Sequence, residues 1–132
     1  MRTTFQVGDS VSVTKTFTQE EVERFSELSL DTNPIHLDPA YAEDSIFGRR
    51  IVHGMLVASL FSGLLGNELP GEGSIYLGQT LRFTAPVHAG DDVTATVEVT
   101  HIREDKPIVT LSTTCVNAEG TVVIEGEAVI KV

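Results

Sequence analysis

The chain has one cysteine, no tryptophan, only three lysines and no unbroken apolar run long enough to cross a bilayer. Each scarcity excludes something. A lone cysteine cannot close an intrachain disulfide. Cys115 alternates with Val109, Leu111 and Thr113, which reads as a small buried residue on a strand rather than a catalytic thiol. The longest apolar stretch, Met55 to Leu65, is interrupted by Ser59, Ser62 and Gly63 and falls far short of the ~20 residues a membrane helix needs. Met1 to Ser10 contains no apolar core of a secretory signal, so a soluble, cytoplasmic protein is expected. Positive charge is scarce as well: 9 Lys+Arg face 19 Asp+Glu, a formal net charge of −10. That balance disfavours a nucleic-acid backbone as partner, because phosphate binding relies on clustered lysine and arginine. What is present is ordinary globular material, 41% hydrophobic and 21% charged over 132 residues, enough for one domain spanning 1–132 with a real core.

The two halves have different periods. Val11 to Phe17 alternates as a strand, and Thr18 with Glu21 forms a capping box ahead of Val22, Phe25 and Leu28 at helical spacing. A helix over Gln19 to about Ser29 follows, then a loop from Asp31 to His36. Asp38-Pro39 opens a short second helix. Gly54 is expected to cap a third helix running to Leu65, apolar nearly all round and therefore buried on most sides. After Gly73 the period becomes two. Strands are expected over Ser74 to Thr84 with a bulge near Gly78, over Val93 to Thr100, over Ile108 to Val116, and over Thr121 to Val132, the last two joined as a hairpin. Consecutive hairpins imply an antiparallel sheet, and one buried helix against it makes an α+β architecture.

Two segments carry chemistry. Asp31-Thr32-Asn33-Pro34-Ile35-His36 places a carboxylate, an amide and an imidazole within six residues, stiffened by proline. Such a turn can aim Asp31 and His36 at one water and move its protons, or it can be an Asx turn ending a helix with His36 merely packed. Arg49-Arg50-Ile51-Val52-His53-Gly54-Met55 places a glycine at the start of a helix, where free backbone N–H groups can hold a developing oxyanion, or simply end as a cap. Ser62, two turns on, can donate toward that site or bond back to its own helix. His36, His53, His88 and His101 show no paired metal-ligand spacing, so no metal is expected.

Asp31-x-Asn33-Pro34-x-His36, then Gly48-Arg49-x-Ile51-Val52-His53-Gly54 and an apolar helix, then Tyr76 to Val87 leading into Gly90-Asp91, resembles the MaoC-like (R)-specific enoyl-CoA hydratase family over nearly the whole chain. The resemblance implies a hot-dog fold, a curved antiparallel sheet wrapped around a long central helix. It implies reversible hydration of a trans-2-enoyl-CoA to the (R)-3-hydroxyacyl-CoA without a metal or redox cofactor. Asp31 and His36 match the catalytic pair, Asn33 the amide that positions water, Gly54 the N–H on the thioester oxygen, and Ser62 a serine near the pair. Arg82, Arg103 and Lys106 are available for the phosphates of coenzyme A, and Leu77 and Leu81 for the acyl tunnel. A homodimer is expected, since edge pairing covers exposed strands. Three rivals stand beside this: a thioesterase, against which Met55 to Leu65 carries no carboxylate; a serine hydrolase, for which Ser62 lacks a glycine-flanked elbow; and a non-catalytic hot-dog subunit, which would be expected to have lost Asp31 or His36. Chain length, pathway (polyhydroxyalkanoate synthesis, β-oxidation or another acyl route) and coenzyme A against acyl carrier protein are open, the acidic charge favouring coenzyme A.

Overall fold

The computed structural model describes residues 4–132. The chain runs β1 (Ser10–Thr16), α1 (Gln19–Ser29), α2 (Pro34–Leu37), α3 (Pro39–Glu43), α4 (Gly54–Asn67), β2 (Ile75–Gln79), β3 (Arg82–Phe83), β4 (Asp92–Ile102), β5 (Ile108–Asn117) and β6 (Val122–Lys131). All pairings are antiparallel, in the order β1-β4-β5-β6-β2, with β3 also on β6. The period-two pattern chooses the inner face. Val93, Ala95, Val97 and Val99 of β4 and Val109, Leu111, Thr113 and Cys115 of β5 are fully buried against Val57, Phe61, Leu64 and Leu65 of α4. Burial pushes the Cys115 thiol up to about 11, so it stays protonated and inert.

The capping box forms as its spacing predicts: Glu21 N donates to Thr18 Oγ1 (3.2 Å) and Thr18 N to the Glu21 carboxylate (3.0 Å). Lys15 at the end of β1 donates to Glu21 (2.8 Å), which holds that carboxyl below its usual range and ties β1 to α1.

Four expectations need correction. The stretch Ser74 to Thr84 is two strands rather than one. The Gly78 bulge is present, but the chain leaves the ladder at Thr80, whose backbone is laid over Gly126 of β6. The 31–36 segment is only partly a loop, because Pro34–Leu37 makes one helical turn. His53, not Gly54, is the N-cap of α4, and Gly54 is its first helical residue. Finally, α4 is buried along one side only. Met55, Ser59, Ser62, Gly63 and Gly66 are exposed, because the sheet closes over the opposite face of the helix.

Candidate active site

The site is built from two short segments, residues 30–37 and 50–54, laid side by side. Leu30 ends α1 in the left-handed conformation (φ 67°, ψ 10°) and turns the chain sharply into Asp31. Asp31 Oδ1 then accepts from Asn33 N (3.1 Å), and Asn33 Oδ1 accepts from Ile35 N (3.3 Å), capping the turn that Pro34 opens. That single turn carries His36 inward to 7% exposure. The Asx turn and the converging acid–base pair are therefore the same object. One oxygen of Asp31 makes the turn, while the other, Oδ2, stands 3.8 Å from His36 Nε2.

His36 is held on three sides. Its Nδ1 lies 2.9 Å from the carbonyl of Ile51, its own carbonyl accepts from Gln19 Nε2 (2.9 Å), and His53 stacks on its ring with centroids 3.8 Å apart and planes 23° apart. A carbonyl only accepts, so the proton of a neutral His36 sits on Nδ1 and Nε2 presents a bare lone pair toward Asp31. The 3.8 Å gap is too long for a direct hydrogen bond and short enough for one water to bridge. Further backbone links, Ile51 N to the carbonyl of Ile35 (3.2 Å) and Val52 N to that of Val87 (2.7 Å), fix the second segment against the first and against the chain entering β4.

Gly54 follows directly. As the first residue of a 14-residue helix it offers a backbone N–H at the positive end of the dipole. A Cβ on Gly54 would lie 2.6 Å from two atoms of the Phe83 ring, so that ring would have to turn aside to admit one. Asp31, His36, His53 and Gly54 all line one cleft of ≈ 700 Å³, whose remaining walls are mainly apolar, among them Phe25, Phe47, Met55, Phe83 and Ile124. A few polar groups thus stand in a mainly apolar cleft, a form suited to a substrate with a reactive head and an apolar tail.

Other expected residues lie elsewhere. Ser62 is eight residues beyond Gly54, about 12 Å along the helix, exposed on its open face and absent from the cleft wall. The Asn33 side chain is spent on capping α2 and does not line the cleft. Arg82 is exposed beside Phe83 on β3, outside the cleft wall. Arg103 and Lys106 follow the far end of the 11-residue strand β4, roughly 30 Å from the end that meets the site, and Arg103 is bonded to Asp105 (2.7 Å). The three cations do not gather around one point. Leu77 and Leu81 do not line the cleft either; Phe25, Phe47 and Met55 take that role.

The sequence reading missed His53, Ser26 and Gln19. His53 Nε2 lies 3.0 Å from Ser26 Oγ and 3.3 Å from the carbonyl of Asp31, and Phe25 packs edge-on against its ring. Burial, reinforced by the neighbouring His36, lowers the pKa of His53 and keeps it neutral. Asp31, His36 and His53 each bring a ligand atom within 4.8 Å of the others. Two of the four ring nitrogens are already committed, His36 Nδ1 to the carbonyl of Ile51 and His53 Nε2 to that of Asp31.

Residues 4–120 match the family model described as MaoC like domain. The chain is 58% identical to an (R)-specific enoyl-CoA hydratase of Aeromonas caviae, covering 96% of this chain and 94% of that one. It is 40% identical to a mitochondrial 3-hydroxyacyl-[acyl-carrier-protein] dehydratase of Arabidopsis thaliana, covering 96% and 77%. Among solved structures it superposes on the (R)-hydratase of A. caviae involved in PHA biosynthesis with a TM-score of 0.97 at 56% identity, covering 98% of both chains. On the R-hydratase PhaJ1 of Pseudomonas aeruginosa the TM-score is 0.91 at 42% identity, covering 96% and 81%.

Proposed function

The chain belongs to the MaoC-like domain family and has its hot-dog fold, and we propose that it is an (R)-specific enoyl-CoA hydratase. It adds water reversibly to a trans-2-enoyl-CoA and gives the (R)-3-hydroxyacyl-CoA. The observation that carries this reading is the pair of bare acceptors, Asp31 Oδ2 and His36 Nε2, 3.8 Å apart in a mainly apolar cleft that Gly54 also lines.

The geometry translates into steps. One water donates a hydrogen to each acceptor, which leaves an oxygen lone pair free to attack C3 of the enoyl thioester. As the O–C3 bond forms, the C2=C3 pair moves toward the thioester and negative charge gathers on its oxygen. The Gly54 N–H receives that charge, a contact of the kind worth about 10²–10³ in rate. Asp31 takes one proton from the water, and the proton held by the pair is delivered to C2 on the same face, giving syn addition. One water is consumed, no electrons leave the substrate, and neither a metal nor a redox cofactor takes part.

Coenzyme A is favoured over acyl carrier protein because a chain of net charge −10 repels an acidic carrier. The protein works as a homodimer across the outer edge of β2, where Ile75, Tyr76 and Leu77 are each about half exposed and the ladder is unpaired on one side. Residues 1–132 act as one domain, in the cytoplasm; among the described residues no helix is long and apolar enough to cross a membrane.

The test is loss of enoyl-thioester absorbance with short trans-2-enoyl-CoA substrates, with the product resolved by chirality. Wild type should give the (R)-alcohol, and Asp31→Asn and His36→Ala should not. Absence of hydration across several chain lengths would sink the reading, and release of free thiol instead would establish a thioesterase. Sedimentation at micromolar concentration should give twice the chain mass.

A further inference from the structure

We propose that His53 is a positioning residue: it completes a reciprocal clasp that sets the distance between Asp31 and His36 and the place of the Gly54 N–H relative to both. The proposal rests on the reading of Asp31 and His36 as the reacting pair. Its geometric half can be judged without that reading.

The clasp is visible in which groups are exchanged. His36, in the first segment, gives Nδ1–H to the carbonyl of Ile51 in the second (2.9 Å). His53, in the second segment, places Nε2 on the carbonyl of Asp31 in the first (3.3 Å). Each segment thus contributes one imidazole and one backbone carbonyl, and the two rings lie face to face between them. Ser26 Oγ of α1 sits 3.0 Å from the same His53 nitrogen.

The tautomer of His53 follows from its surroundings. Its Nδ1 is buried without a hydrogen-bond partner. A proton there would be an N–H donor with nothing to receive it, and the bare Nε2 would face a carbonyl oxygen lone pair. With the proton on Nε2, that N–H is shared between the Asp31 carbonyl and Ser26 Oγ, and only an acceptor is left unsatisfied. Unsatisfied buried acceptors are tolerated better than orphaned donors. The two stacked histidines therefore hold opposite tautomers, His36 on Nδ1 and His53 on Nε2, each fixed by a backbone carbonyl. One ring then references all three reacting groups. It holds the backbone of Asp31, blocks rotation of His36 with its face, and is joined by a peptide bond to Gly54.

Two substitutions separate the parts. His53→Phe keeps a flat ring for the stack and loses the donor. His53→Gln keeps an N–H at about the reach of Nε2 and loses the ring. If the clasp positions the pair, His53→Phe lowers kcat about 100-fold, the cost of a displacement near 1 Å, while KM stays within about threefold. His53→Gln recovers at least fivefold of that loss, and Ser26→Ala costs only a few-fold. A kcat for folded His53→Phe within twofold of wild type overturns the proposal, as does His53→Gln performing no better than His53→Phe. ¹⁵N histidine spectra of the resting protein should show one ring protonated on Nδ1 and its stacked neighbour on Nε2; the same tautomer on both overturns the clasp. Should wild type hydrate nothing, the reading of Asp31 and His36 fails on that result, and the spectra alone decide the clasp.

Discussion

The sheet and the clasp are built on opposite plans. β4, β5 and β6 are each ten or eleven residues long and paired in register almost throughout, with side chains of β4 and β5 alternating into the core over most of their length. Any one ladder bond there is backed by its neighbours. The segments 30–37 and 50–54 have almost no such redundancy. They are held by single bonds of unlike kind: Gln19 to the carbonyl of His36, His36 to that of Ile51, His53 to that of Asp31, Arg50 to that of Leu37. The sheet supplies free energy and the clasp supplies geometry. Substitutions in the first should therefore move Tm and leave the chemistry of the folded fraction intact, while substitutions in the second should do the reverse.

The sharpest break of that contrast, and the largest effect, is Asp31→Asn. Asparagine keeps the oxygen that accepts from Asn33 N, so the turn survives, and the side chain is half exposed, so little stability is at stake. The base is lost. Hydration should fall by about 10³–10⁴ with Tm within about 2 °C of wild type, read by absorbance and calorimetry. A large fall in Tm would mean that the carboxylate holds the fold.

Gly126→Ala tests the other side. A Cβ there would fall on the backbone carbonyl of Thr80, with the carbonyl carbon only 2.7 Å away, and Thr80, though past the end of the β2 ladder, is pinned to β6 by its N–H to the Glu127 carbonyl (2.9 Å) and cannot swing aside. A loss of about 3 kcal/mol is expected, roughly 10 °C in Tm at this chain length, with kcat per folded molecule unchanged. Gly54→Ala lies between the two. Its Cβ meets only the Phe83 ring, which is half exposed and can turn away, so Tm should move by no more than about 2 °C. The methyl crowds the N–H proposed to receive the thioester oxygen, and kcat should drop on the order of tenfold. If Tm falls as far as in Gly126→Ala, the Phe83 contact belongs to the core rather than to the site.

The titration of His53 gives a smaller effect. Burial lowers its pKa in the folded chain, whereas the unfolded chain binds a proton below about pH 6.5. In the window beneath that value the unfolded state holds more protons, so stability rises with pH and is lost on acidification. Tm of wild type should fall between pH 7 and 5 more steeply than that of His53→Phe. Parallel curves would mean that His53 titrates alike in the folded and unfolded chains, with no lowering by burial.

These two plans also explain what could be read from the sequence. Period-two alternation and the Thr18–Glu21 capping box are local signals, and β1, β4, β5, β6 and α1 follow them closely. Asp31, His36 and Gly54 are legible as candidates because they sit in short motifs, and they do line one cleft. His53 makes its contacts to Ser26, Asp31 and His36 across 27, 22 and 17 residues of chain. No spacing rule covers such distances. Its place beside Gly54 in Ile51-Val52-His53-Gly54 is the one local hint, and that stretch points first to the glycine. Ser62 shows the converse: a polar residue on an apolar helix suggests a site, and in the single chain Ser62 lies on the face the sheet leaves open, outside the cleft wall. Composition reports that α4 is greasy, not which side is covered. The break at Thr80 depends on how closely Gly126 lets another backbone approach, a matter of tertiary fit rather than of the strand's own pattern.

Leu30 gives the smallest effect and the finest test of the contrast. It is the one non-glycine residue with positive φ among those described, and its side chain is 85% exposed, so truncating it removes little burial. The left-handed conformation costs a side-chain-bearing residue about 1–2 kcal/mol, and glycine returns roughly 0.5–1 kcal/mol of that through its freer unfolded chain. Leu30→Gly should therefore raise stability by about 0.5 kcal/mol, near 2 °C in Tm. The informative quantity is the accompanying kcat. If Asp31 is aimed by its bonds to Asn33 and His53, as the clasp requires, kcat stays within about twofold because those bonds do not depend on residue 30. If Tm rises while kcat falls tenfold, the narrow φ range of leucine is itself aiming the carboxylate. Strain at the entrance of the loop would then be part of the positioning, and the clasp would be only its second half.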